Sequence, residues 1–227
     1  MKSPYILLIL LPFLCCQCAT SKYDIFKVES VDAQRDNDGR FVSERPYLKV
    51  EYDYWSYGGV VWMRATNTSD ADLWLYIDNS GLEVNNKSLP HMSAEEIFLA
   101  LRDRNFYPQP KVKLSPKQTY VIESYPIQAK RWNYKGEEPP LYYESTNSPL
   151  RIKSKWTIAR GGDQNTMLSI YDEFYVSSIE RIPRQTFKQQ EDWLASDMHF
   201  YFFKDYRQLW AEVALELVGI GLALLVF

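Results

Sequence analysis

Residues 48–54 read LKVEYDY, and this stretch decides the fold class. Apolar or aromatic side chains alternate with charged side chains at every position. Successive side chains of a β-strand point to opposite faces of the sheet, so the alternation predicts a strand with one buried and one solvated face. A two-faced strand of this kind is typical of antiparallel sheets that cover a core on one side.

Further strands are predicted on both sides of this stretch. Residues 60–66 (VVWMRAT), 73–77 (LWLYI) and 152–159 are each predicted as a strand and residues 167–182 as one or two strands, and polar turn residues separate them. The chain also holds 17 Tyr, 11 Phe and 7 Trp, side chains that favour pleated surfaces. We expect an immunoglobulin-like antiparallel β-sandwich of about seven strands across residues 22–183. The rival architecture is an open mixed sheet covered by helices.

One helix is predicted inside this domain. Ser93 can cap it and Glu96 occupies the capping-box position three residues later. Pro108 ends it, which places the inserted helix near residues 93–105. A second helical region is expected from residue 187, where aromatic and charged side chains mix, and the segment 187–227 is treated as a separate C-terminal part.

The first eighteen residues predict a signal peptide. Lys2 precedes an apolar run of about ten residues, which is too short to span a bilayer. All three cysteines of the chain follow at positions 15, 16 and 18. A disulfide framework or a zinc site would place cysteines elsewhere in the fold or combine them with histidines.

This start resembles a bacterial lipoprotein signal, and its loose form is similar to the lipoboxes common in the Bacteroidota. The resemblance covers residues 1–18 only. It implies cleavage before a cysteine that becomes acylated, with Cys16 favoured and Cys18 the next choice. It also implies a protein of the bacterial cell envelope, held by lipid at the outer membrane or on a periplasmic face. The alternative is an ordinary cleaved signal with incidental cysteines.

The segment 209–227 is almost wholly apolar. As a helix it would reach about 28 Å, close to the thickness of a hydrocarbon core, although Glu212 and Glu216 lie in its first half. We expect it to associate with a membrane or with a partner protein. The alternative is a helix packed on the protein's own core.

Catalysis is not predicted. His91 and His199 are the only histidines and have no motif context, so a structural role is expected for both. No nucleophile elbow, phosphate loop or dinucleotide fingerprint occurs in the sequence.

The net charge of -3 excludes a generally basic nucleic-acid binder. Residues 36–39 (DNDG) lack the flanking ligands of a calcium loop and predict a hairpin turn. We therefore expect no enzyme activity, no cofactor and no metal.

Two function hypotheses follow. The leading one is a membrane-anchored structural or assembly component that contacts an unknown envelope protein. The alternative is a glycan-binding surface lipoprotein in which Trp55, Tyr57, Trp132 and Tyr134 stack on sugar rings. Burial of these four rings in the sandwich or its rim is the simpler expectation, because aromatic side chains usually supply core area.

Overall fold

A computed structural model of the chain describes residues 21–91, 96, 99, 102–103, 110–123, 138–161, 166–196 and 199–204. Within these ranges the protein is mainly β and contains two sheets, an arrangement consistent with a β-sandwich. The predicted signal and its cysteines lie outside the described residues, and so does the apolar segment 209–227. Within the described ranges, no helix combines the length and apolar character that a membrane-spanning segment requires.

The described ranges hold fifteen strands and one complete helix. They are β1 (Lys22–Ser30), β2 (Gln34–Arg35), β3 (Phe41–Arg45), β4 (Leu48–Asp53), β5 (Ser56–Tyr57), β6 (Trp62–Asn67), β7 (Leu73–Tyr76), β8 (Gly81–Val84), β9 (Lys87–Pro90), β10 (Lys111–Leu114), β11 (Thr119–Glu123), β12 (Leu141–Tyr142), β13 (Arg151–Arg160), β14 (Leu168–Pro183), α1 (Arg184–Ser196) and β15 (His199–Lys204).

These strands form a large and a small sheet. The large sheet has the order β10-β7-β13-β14-β1-β15-β5, with β12 paired to β14 and the β8–β9 hairpin attached through β13. The small sheet has the order β11-β6-β4-β3-β2. Every strand pair with a described register is antiparallel except β15 and β5, which run parallel.

The small sheet confirms the strand predicted at residues 48–54. Leu48, Val50 and Tyr52 of β4 are fully buried, whereas the charged residues between them are half-buried on the opposite face. The turn predicted at residues 36–39 is also confirmed, because it joins the antiparallel strands β2 and β3. Its Gly39 adopts φ +83°, a backbone conformation that glycine reaches without steric cost.

The large sheet is built around the long β13–β14 hairpin. Its register runs from Arg151 opposite Tyr175 to Ile158 opposite Leu168. The edge strand β10 exposes Lys111 and Lys113, and charged side chains on an edge strand oppose pairing with a further chain.

The chain divides into two compact units. The first comprises, among the described residues, 21–24, 181–190 and 202–204. Among its described residues, Tyr23 stacks on Phe187 with ring centroids 3.9 Å apart, and Arg181 Nε donates a hydrogen bond to the buried Asp24 carboxylate at 2.8 Å.

The second unit comprises residues 25–180 and 191–201. A polar cluster in its interior joins the two sheets. Asp172 of β14 accepts hydrogen bonds from Ser43 Oγ at 2.6 Å, from Tyr52 OH at 2.7 Å and from Arg45 Nη2 at 3.1 Å. Trp156 of β13 donates from Nε1 to Tyr52 OH at 3.0 Å. We call these five residues the Asp172 clasp.

The strand count differs from the expectation. Fourteen of the described strands lie within residues 22–183, against about seven predicted from pattern. Three of them, β2, β5 and β12, are only two residues long, and alternation cannot be recognised over so short a stretch.

The helix predictions have mixed outcomes. Glu96, Leu99 and Arg102 are helical, and Asp103 N–H donates to the Leu99 carbonyl at 2.8 Å, whereas the other residues of the predicted helix at 93–105 lie outside the described ones. The helical region expected from residue 187 is wrong for His199–Lys204, which forms strand β15. Aromatic side chains favour strands when a neighbouring strand covers them, as Phe26 covers Phe200 with centroids 4.8 Å apart.

Replacement of Tyr52 by phenylalanine tests the Asp172 clasp. The Tyr52→Phe variant leaves the Asp172 carboxylate and the Trp156 Nε1–H each without one buried partner, so we expect the free energy of unfolding to fall by about 1–3 kcal/mol. Chemical denaturation of the full chain measures this loss. Tyr142→Phe is the matched control, because Tyr142 is 71% exposed and should change stability little. Equal stability of the two variants would contradict the role of the clasp.

Candidate functional site

Two of the four ring residues predicted for glycan binding lie in the described part of the chain. Trp55 is half-buried and Tyr57 is 60% exposed at the β5 end of the large sheet. Trp132 and Tyr134 lie outside the described residues.

A third ring completes this surface cluster. Tyr201 of β15 lies 4.9 Å from Trp55 and 5.9 Å from Tyr57, measured between ring centroids. The parallel pairing of β5 with β15 sets Tyr201 opposite Tyr57, and Gly58 N–H donates to the Tyr201 carbonyl at 2.9 Å. We call Trp55, Tyr57 and Tyr201 the edge aromatic group.

Local sequence explains why these rings reach the surface. Tyr54 is fully buried, whereas Trp55, two residues beyond the end of β4, is half-buried. The Trp55 N–H donates to Asp53 Oδ1 at 2.9 Å, which fixes the backbone at the end of β4. Gly58 and Gly59 then adopt φ +78° and +73° and reverse the chain. Tyr54 is therefore a core residue, whereas Trp55 is half-buried and Tyr57 is largely exposed.

Sequence reasoning missed Tyr201. The sequence predicts a helix for Tyr201 and its neighbours, and no pattern within residues 199–204 identifies β5 as their partner strand. The contact between Tyr201 and Tyr57 joins residues separated by 144 positions in the chain. Such a pairing becomes visible only when the sheet is assembled.

The outer face of the small sheet is a second surface of interest. Trp62 and Val121 are 45% and 51% exposed, although β6 has strands on both sides. The register places Trp62 beside Asp53, and Arg64 between Glu51 and Val121. This face therefore combines exposed apolar area with charges of both signs.

Both histidines lie in the interior. His91 is fully buried beside Trp156, with ring centroids 4.3 Å apart, and neither of its nitrogens has a hydrogen-bond partner among the described residues. Burial lowers the pKa of His91 to about 3, although the nearby backbone of Lys155 acts in the opposite direction. His199 Nδ1 lies 3.0 Å from the Leu194 carbonyl and can donate to it.

The two tyrosines near Asp172 are held as neutral phenols. Burial raises the pKa of Tyr52 well above its usual value, and the Asp172 charge raises it further. The same two causes raise the pKa of Tyr54. In the described ranges, no group of three His, Cys, Asp or Glu side chains is arranged to hold a metal ion.

Comparison of this chain with protein-family models, with curated proteins and with solved structures finds no match.

The pH dependence of the free energy of unfolding should reveal the lowered pKa of the buried His91. Its folded pKa of about 3 lies below the ordinary value of 6.5, so below pH 6.5 the unfolded chain binds a proton that the folded chain does not bind. The free energy of unfolding should then fall as the pH drops from 6.5 towards 3, by up to about 1.4 kcal/mol per pH unit from this group alone.

A His91→Phe variant isolates this contribution. Phenylalanine keeps an aromatic ring beside Trp156 but cannot take up a proton. We expect the variant to gain stability relative to the native chain as the pH falls from 6.5 to 4.5, whereas the difference should be constant between pH 7 and 8. Denaturation curves at each pH measure it. Parallel stability profiles from pH 6.5 to 4.5 would show that His91 does not titrate in this way.

Proposed function

We propose that the protein is a lipid-anchored component of a bacterial cell envelope that acts through contacts with another envelope protein. The observation that carries the contact role is the outer face of the small sheet, with Trp62 and Arg64 exposed on a strand that has neighbours on both sides. Tryptophan and arginine are the side chains most enriched where protein interfaces gain binding energy.

The composition of this face supports a protein partner. Exposed apolar area at Trp62 and Val121 can be desolvated on contact, while Glu51, Asp53 and Arg64 can pair with charges at the rim. An apolar centre with a polar surround is the usual anatomy of a specific interface.

The anchor rests on the clustered cysteines and on their distance from the folded domain. Strand β1 begins at Lys22, four residues after Cys18 and six after Cys16. Even a fully extended connection spans only about 14–22 Å at 3.6 Å per residue. A lipid on either cysteine would therefore hold the β domain close to the bilayer. The segment 209–227 would add a second attachment, to membrane or to the partner, as an apolar helix.

We also propose that the two sheets form an immunoglobulin-like β-sandwich. Antiparallel pairing throughout the small sheet and the Asp172 clasp between the sheets support it.

Glycan binding is a second candidate function, and the edge aromatic group favours it. Aromatic faces attract the C–H faces of sugar rings, and the Tyr57 ring is largely accessible to solvent. The tilted arrangement of Trp55 and Tyr57 around Tyr201 presents ring surface in more than one direction.

Metabolic labelling with a palmitate analogue tests the anchor. We expect the native chain to be labelled, the Cys16→Ser variant to lose the label, and the Cys18→Ser variant to keep it. A reversed result would move the attachment to Cys18. Label that persists in the double variant, or that is absent from the native chain, would remove the lipid from the proposal.

Site-specific photocrosslinking in intact cells tests the contact face. A photoreactive residue at position 62 or 64 should give one discrete crosslinked species, whereas the same residue at position 142 should not. Trp62→Ala should abolish the corresponding complex on native gels, and Tyr142→Ala, which removes a more exposed ring from the large sheet, should preserve it. Identical behaviour of positions 62 and 142 would overturn the assignment of this face.

A further inference from the structure

The outer face of the large sheet carries two adjoining depressions over strands β8, β13 and β14. Their volumes are about 350 and 370 Å³, and Glu83 and Lys153 line both of them. Volumes of this size lie at the lower end of the range for small-ligand sites. We call the two depressions together the sheet groove. The groove shares no residue with the edge aromatic group or with the outer face of the small sheet.

The strand register arranges the floor of the groove as a grid. Lys153 of β13 lies between Glu83 of β8 and Glu173 of β14. One row further, Lys155 lies between Gly81 and Tyr171. Gly81 has no side chain, so the row that contains Tyr171 is left open above β8.

The groove is polar but electrically balanced. Three carboxylates and three cationic groups line it, and their formal charges sum to zero; they are Asp78, Glu83, Glu173, Arg151, Lys153 and Lys155. Lys153 Nζ lies 3.0 Å from Glu173 Oε1, and this contact together with the Glu173 charge raises the pKa of Lys153. Nucleic acids require an excess of positive charge and metal ions an excess of carboxylates. A balanced set of donors and acceptors suits a neutral, polar ligand.

Two tyrosines add an aromatic component. Tyr171 is 50% exposed and lines one depression, and Tyr175 lines the other. They are four residues apart on the same face of β14, which corresponds to about 13 Å along the strand. Arg151 at the Tyr175 end is held in place by hydrogen bonds from its guanidinium to the Ser145 carbonyl. The site is therefore elongated, with a ring near each end.

We propose that the sheet groove binds a neutral oligosaccharide. Its sugar rings stack on Tyr171 and Tyr175, and its hydroxyl groups exchange hydrogen bonds with Glu83, Lys153 and Glu173 between them. A sugar hydroxyl both donates and accepts hydrogen bonds. It can donate to the carboxylates of the groove and accept from the lysine ammonium group. The proposal goes beyond the protein-contact role, and it stands or falls independently of the edge aromatic group.

Strand pairing explains why a peptide fits this surface less well. Extended peptides bind by adding a strand to a free sheet edge. The groove lies on a sheet face, where the backbone of β13 is already paired with β14 on one side and with β7 and β8 on the other. Recognition must then come from side chains alone.

A glycan array probed with the full chain tests the proposal. The protein should be held in a zwitterionic detergent without a sugar head group, because a glycoside detergent would compete. Neutral, acidic and basic oligosaccharides are compared with neutral peptides of similar length. We expect selective binding of neutral oligosaccharides, with Tyr171→Ala and Lys153→Met each weakening it about tenfold, equivalent to about 1.4 kcal/mol.

Two matched controls separate this site from the others. Tyr142→Ala removes an exposed ring of the same sheet outside the groove and should leave binding unchanged. Trp55→Ala should also leave it unchanged. Binding that disappears with Trp55→Ala and survives Tyr171→Ala would move the glycan to the edge aromatic group and overturn the groove. Selection of acidic glycans, of peptides or of no ligand at all would overturn it equally, without bearing on the crosslinks expected at position 62.

Discussion

A buried carboxylate is the constraint on which the arrangement of the two sheets depends. Asp172 is wholly shielded from solvent, and an ionised group in that position is tolerated only when hydrogen bonds and an opposite charge compensate it. Ser43, Arg45 and Tyr52 supply that compensation from the small sheet, whereas Asp172 itself belongs to the large one. Sliding of one sheet along the other would break several of these contacts together. The polar cluster thus selects one alignment among the many that apolar packing alone would permit.

Aromatic packing fills the space around this cluster. Phe174, two residues after Asp172, lies with its ring centroid 4.7 Å from Tyr52, 5.2 Å from Tyr54 and 5.4 Å from Phe41. The Tyr54 hydroxyl has no hydrogen-bond partner within the described ranges, and the same holds for both nitrogens of His91. Such groups cost free energy, typically about 1–3 kcal/mol each. Ring area buried nearby offsets that cost, which explains why the interior can hold polar atoms that the clasp does not satisfy.

Sequence patterning predicted the parts of this fold in which apolar and charged residues alternate without ambiguity. Strand β4 is the clearest case, since Lys49, Glu51 and Asp53 can only face outward when Val50 and Tyr52 face inward. Residues 171–175 (YDEFY) are the opposite case. Tyrosine suits either face, so the pattern does not reveal that Asp172 and Phe174 point inward. The sheet groove and the position of Tyr201 could not be predicted from the sequence for a related reason. Both depend on which strands become neighbours in the sheet.

The same register that buries Asp172 determines what the outer surface offers. Side chains alternate strictly along a strand, so a shift of one residue in β14 would expose Asp172 and bury Tyr171, Glu173 and Tyr175. On β13, burial of Ser154 and Trp156 likewise forces Lys153 and Lys155 outward. The clasp therefore fixes the grid of charges and rings on the opposite face, and it contacts that grid through Arg45 Nη2, which lies 3.5 Å from the Tyr171 carbonyl. The groove side chains on β13 and β14 therefore need no enclosed pocket to position them, because the buried residues of the same strands hold the backbone in place.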